Sequence, residues 1–182
     1  RDNRWGTPLM DALTAIENFV SGIFSSGIRF FFVWGETLGV VFLIILLARA
    51  RSLTAPPLSP GKFFGGLFIC AAMVSLPSLI NAAGAQLGFQ STSFEAIAYV
   101  PASTFGEASA AADAVLSLVR LAGIGFFLSG LNMYRRSSLD GHTALSASEN
   151  NRAATVKVFA GTAMVFAPQL IDKLLASLKI AF

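Results

Sequence analysis

Four long apolar runs punctuate the chain, separated by polar or proline-bearing segments. VVFLIILLA at 40–48 has no polar side chain, and GGLFICAAMVSLPSLI at 65–80, AGIGFFLSGL at 122–131 and FAGTAMVFAPQLI at 159–171 carry no charge. Each sits in a stretch close to the roughly 20 residues a helix needs to cross about 30 Å of hydrocarbon. The pattern predicts four spanning helices, at 28–48, 63–86, 114–134 and 158–179. A mixed, weakly amphipathic stretch precedes the first of them at 7–26, and a looser one precedes the third at 94–112. Composition agrees: 54% of residues are hydrophobic and 13% charged, where a soluble domain carries about a quarter charged.

A second regularity overlies the first. AMVSLPSLIN at 72–81 is echoed by AMVFAPQLID at 163–172, a shift of 91 in a chain of 182 residues. The same ungapped shift places Arg29 on Arg120, Gly39 on Gly130, Phe68 on Phe159 and Pro77 on Pro168. Repeats precede any other fold reasoning, and an arginine and a proline matching in one register point to duplication. The expected fold is therefore an all-α membrane protein. Its four transmembrane helices form two tandem helical hairpins, residues 1–91 and 92–182, each preceded by a short interfacial or amphipathic helix. Two spans per unit return the chain to its starting side, so the repeats are parallel. The inverted repeats of many secondary transporters need an odd number of spans per unit.

Charge placement gives an orientation. The 49–62 connection holds Arg49, Arg51 and Lys62 without an acid, and the 135–157 connection holds Arg135, Arg136, Arg152 and Lys157 against Asp140 and Glu149. The 87–113 segment holds Glu95, Glu107 and Asp113 with no Lys or Arg. Cytoplasmic loops collect Lys and Arg, so both basic connections are expected inside and the termini outside, on the periplasmic side of a bacterial inner membrane. The chain starts at Arg1 and not at Met; either a signal peptide has been removed or the chain is trimmed, and removal of a signal agrees with the charge argument.

Several side chains invite a role. Pro77 and Pro168 interrupt the helical ladder and predict kinks. Arg29 and Arg120 stand near the outer ends of spanning helices, where a guanidinium snorkels to the headgroups or holds a lipid phosphate. Glu36 follows Arg29 by seven residues on nearly the same face; an intramembrane carboxylate is a functional candidate, and pairing with a base from another helix or subunit is its simplest role. The small-xxx-small steps Gly35/Gly39, Gly125/Ser129 and Ala163/Ala167 predict close helix packing. The basic connections lack aromatics, so any contact with nucleic acid there is electrostatic and blind to sequence. Cys70 is the sole cysteine and His142 the sole histidine, which leaves neither a disulfide nor a metal-ligand pattern. No catalytic constellation is evident; a non-enzymatic protein is expected, with no cofactor beyond bound phospholipid.

LSGLNMYRRSS at 128–138 followed by KVFAGTAMVFAPQLIDKLL at 157–175 resembles the small integral-membrane subunits of conjugative and type IVB secretion systems, the TraQ/IcmC (DotE-like) group. The likeness covers mainly the second hairpin. The layout of each half, short helix, membrane helix, basic loop, membrane helix, is also similar to that of conjugative pilins. That resemblance implies storage in the inner membrane after signal cleavage, polymerisation into a pilus, a basic loop facing the lumen and phospholipid between subunits. In that setting Arg49, Arg51, Lys62, Arg135, Arg136, Arg152 and Lys157 would face DNA or lipid phosphate, with Arg29 and Arg120 at the other rim. The chain departs from those pilins in carrying two hairpins and the connector EASAAADA at 107–114. The expected function is a structural, self-assembling pilin-like subunit. The alternatives are a stationary inner-membrane component of the secretion channel and, with less support, a small transporter or channel using Glu36.

Overall fold

The computed structural model describes residues 6–51, 59–94, 109–139 and 144–178. All regular structure among them is helical: α1 (Gly6–Arg51), α2 (Pro60–Val74), α3 (Leu76–Gln86), α4 (Ser109–Leu139), α5 (Ala144–Val165) and α6 (Ala167–Ser177). Two helices, α1 and α4, contain apolar stretches long enough to cross a membrane; the count reaches four if the bent pairs α2–α3 and α5–α6 each make one span. Pro56, Pro57, Asp140, Gly141, His142 and most of the 94–112 stretch lie outside the described residues.

The sequence expectation is corrected at three places. The 7–26 stretch is no separate helix: it runs without interruption into the first span, giving a rod of 46 residues, about 69 Å at 1.5 Å per residue. Its polar residues set which part meets lipid, and they do nothing to stop the backbone ladder. The 135–157 connection is mostly helical, because α4 continues to Leu139 and α5 begins at Ala144. The proline helices are also broken outright where only a kink was expected. The chain bends by 100° between α2 and α3 and by 72° between α5 and α6.

Both breaks have one local cause. Pro77 and Pro168 lack the N–H that would bond back to residues 73 and 164, and proline crowds the residues before it. The chain leaves the helical region two residues ahead of each proline, at Ser75 (φ −103°, ψ 38°) and Phe166 (φ −98°, ψ 17°). These positions are again 91 apart. Ser75 softens its break by donating its hydroxyl to Ala71 O at 2.9 Å.

One apolar core joins both halves of the chain. Phe24 and Ile28 of α1, Met73 of α2, Ile80 of α3, Phe127 of α4 and Phe166 at the second break are buried in it. Close backbone approach holds the second hairpin: a Cβ at Gly123 would lie 2.8 Å from Gly161 O. Gly39 and Gly130 each face an Ala or Cys carbonyl and a Val amide one turn later, Cys70 and Val74 for Gly39, Ala154 and Val158 for Gly130. The shift of 91 would carry Cys70 and Val74 to positions 161 and 165, so the second hairpin is slid by seven residues relative to the first.

Candidate functional site

The break at Phe166, the end of α3 and the inner part of α4 converge on a short non-helical strap, residues 88–94. Gly88, at φ 77°, ends α3 and turns the chain into it. Backbone that leaves the helical ladder inside an apolar protein must find other partners for its N–H and C=O groups. Four side chains supply them here. The Gln169 amide of α6 accepts from Gln90 N–H at 2.8 Å and donates to Gln90 O at 2.9 Å. The Asn81 amide of α3 does the same for Thr92, accepting from its N–H at 3.0 Å and donating to its carbonyl at 3.2 Å. Each amide imitates the edge of a neighbouring strand. Lys173 Nζ donates to Gly88 O, and Arg120 of α4 donates to Ser93 O at 2.5 Å and to Thr92 Oγ1.

Aromatic rings fix the strap's two ends. Phe89 stacks on Phe166 with centroids 5.3 Å apart, and Lys173 Nζ sits 5.1 Å from the Phe89 centroid. Phe166 in turn lies against Gly84 so closely that no Cβ fits there. Phe94 meets Phe32 of α1 edge to face at 5.1 Å and lies 5.3 Å from the Arg120 guanidinium carbon. The strap therefore ties α1, α3, α4 and α6 together.

Arg29 and Arg120, 91 residues apart, have different surroundings. Arg120 is only 3% exposed; it is spent on the strap and does not face the headgroups, which departs from the sequence expectation. Arg29 is exposed on α1 beside a groove of about 480 Å³ lined by Ser25, Ile28, Phe32, Pro77 and Phe94. Phe94 thus has Arg120 on one side and the Arg29 groove on the other.

Five of the remaining basic residues lie near the hairpin turns, and two lie further along α5. Arg49 and Arg51 end α1, Lys62 lies in the first turn of α2, Arg135 and Arg136 lie near the end of α4, and Arg152 and Lys157 lie on α5. Arg135 is partly buried, with its guanidinium carbon 3.7 Å from the Phe42 centroid and its Nε donating to Asn132 Oδ1 at 3.2 Å. Arg136 and Arg152 are exposed. Lys157 Nζ donates to Ser129 Oγ at 3.2 Å.

Of the other predicted positions, Gly35 and Gly39 are buried against α2 and α3, and Gly125 meets the ring of Phe31. Ser129 is exposed, while Ala163 and Ala167 are half-buried. Glu36 is exposed on α1 and makes no ion pair or hydrogen bond with the described residues. Sequence reasoning missed Asn81, Gln169 and Lys173. The available signal was an amide near the middle of α3 and one in the first turn of α6. No family model, curated protein or solved structure matches the chain.

Proposed function

We propose that the protein is a non-enzymatic structural subunit of a conjugative type IV secretion apparatus, a pilin-like membrane protein that assembles with copies of itself. The observation that carries the self-associating part is α1. Its most apolar window is 17% buried in the chain, against 56% for that of α4. Large side chains along it, Phe30, Val33, Trp34, Ile44 and Ile45 among them, are at least half exposed. The secretion-system part rests on the resemblance of residues 128–175 and on the hairpin layout. The coincidence of both helix breaks with the 91-residue shift supports reading residues 1–91 and 92–182 as two copies of one hairpin.

The placement of Arg49, Arg51, Lys62, Arg135 and Arg136 near the hairpin turns supports an inner-membrane orientation with those turns cytoplasmic and the strap periplasmic. In an assembled filament the same side chains would face DNA or lipid phosphate without reading sequence. A transport role needs a polar route through the bundle, and the core between the hairpins is instead filled with apolar side chains.

A stationary membrane component is the second reading. It is favoured by the bends, which turn α3 and α6 away from the direction of α2 and α5; crossing helices of this kind suit a bilayer interface. Shearing cells and comparing the sheared fibres with the membrane fraction separates the two. Protein recovered in helical fibres supports the filament, and protein confined to membranes supports the stationary component. For the secretion role itself, Arg136→Gln with Arg152→Gln is expected to reduce DNA transfer at unchanged membrane insertion. Normal transfer from cells lacking the protein would remove the reading altogether.

A further inference from the structure

The outward side of α1 carries an order that the chain's own packing does not use. Gly22, Ser26, Arg29, Val33, Glu36 and Val40 are all exposed, and their spacing alternates four and three residues. That is the spacing of a coiled-coil seam, a 3.5-residue period that keeps one stripe facing a parallel partner, with Val33 and Val40 its apolar members. A Cβ at Gly22 would meet nothing within 4 Å, so the stripe is open. Two opposite charges, Arg29 and Glu36, occupy the same seam position one heptad apart.

Those two charges decide what the stripe fits. They are about 10.5 Å apart along the helix axis, too far to pair within one helix, and neither makes an ion pair with the described residues. Glu36 lies two turns deeper than Arg29, and a carboxylate facing hydrocarbon calls for a cation. A parallel copy placed level would set Arg29 against Arg29 and Glu36 against Glu36. A parallel copy slid by one heptad keeps the seam intact and sets Arg29 of one copy against Glu36 of the next. The same slide puts Gly22, which has no side chain, opposite the second copy's Arg29. An antiparallel copy sets each charge against an uncharged seam position, Val33 and Ser26 where the stripes overlap fully. It would also insert the two copies in opposite directions.

We propose that α1 docks on α1 of a second copy, parallel and offset by one heptad, with an intermolecular Arg29–Glu36 ion pair fixing the offset. This rests on the self-associating reading above. Both copies use the same stripe, so the contact joins two chains and leaves the first copy's Glu36 opposite Leu43 and the second copy's Arg29 opposite Gly22.

The test is disulfide trapping in membranes of cells co-expressing two differently tagged full-length chains, one Ser26→Cys and one Val33→Cys. The parent chain is the blank, its Cys70 being buried. The offset brings position 26 of one copy to position 33 of the other. A mixed-tag crosslink is expected, with no dimer from either variant alone. Dimers from Ser26→Cys alone would mean level packing, a Ser26→Cys crosslink to Glu36→Cys would mean antiparallel packing, and no crosslink would mean lipid alone covers the stripe; each overturns the proposal. Arg29→Glu or Glu36→Arg alone should lower the mixed crosslink about tenfold, the loss of one charge-assisted contact. The double exchange should restore it. DNA transfer is scored in the same cells. Crosslinking as expected without any effect on transfer removes the secretion role and leaves the interface standing, whereas required function with level packing does the reverse.

Discussion

Replacing Asn81 by Leu tests whether the strap is held by side-chain amides or merely lies against the bundle. Asn81 satisfies both backbone groups of Thr92, at 3.0 and 3.2 Å, from a half-buried position on α3. A buried polar group stranded without a partner costs about 1–3 kcal/mol. Two such groups, with some water reaching the half-buried Thr92, give about 2–4 kcal/mol for Asn81→Leu. Helix-to-helix hydrogen bonds in membranes average only about 0.6 kcal/mol, because their unfolded reference finds other partners. The strap differs in that its backbone has left the helical ladder, so water is the fallback for its freed groups only where they are exposed. Thermal unfolding in mild detergent should show a fall on the order of 10 °C, at 2–4 °C per kcal/mol for a chain of this size. Hydrogen exchange at the Thr92 amide should quicken. Asn81→Asp keeps the acceptor for Thr92 N–H but loses the donor to its carbonyl, and should fall between Leu and wild type. Ser78→Ala, at an exposed position on the same helix, is the control. If Asn81→Leu melts with Ser78→Ala and leaves Thr92 exchange unchanged, the strap is not pinned as described.

Two further predictions follow from close contacts. Gly123→Val should cost about 3 kcal/mol or more, because its Cβ meets Gly161 O at 2.8 Å and Val165 N at 2.9 Å, both backbone atoms that cannot yield; Gly61→Ala, with nothing within 4 Å, should melt like wild type. Arg135→Gln should cost about 1 kcal/mol through loss of its contact with Phe42, while exposed Arg136→Gln leaves the melting temperature unmoved. A transfer defect from Arg135→Gln therefore mixes packing with charge, and Arg136 is the cleaner probe of charge.

The helices were legible in the chain because apolar runs of spanning length leave few alternatives. The break sites were nearly legible, since proline removes a donor at a known place. What sequence could not give was the severity of the bend. That depends on Phe166 finding Gly84 and Phe89, contacts between residues about eighty positions apart. The continuity of α1 and the helical character of 144–157 were misread for a shared reason: polarity reports where a segment meets water, not whether its backbone is helical. The strap was invisible for a different one. Its partners Gln169 and Asn81 lie 79 and 11 residues away from the groups they satisfy, and no local pattern announces an extended segment pinned from outside.

The arginines carry the most consequential divergence between the halves. In the second half, Arg120 is consumed internally, holding a strap that precedes its own helix by about one loop. In the first half the matching Arg29 stays exposed beside a groove whose far wall includes Phe94, a residue of that same strap. Of the two arginines 91 residues apart, Arg120 ties α4 to the strap, and Arg29 remains exposed on α1 with Glu36 two turns further along the helix. The chain can therefore be held internally by Arg120 and still present Arg29 on its outer helix. That division of labour predicts opposite phenotypes: Arg120→Gln should lower the melting temperature of the isolated chain, while Arg29→Gln should leave it unchanged and weaken only contact between copies.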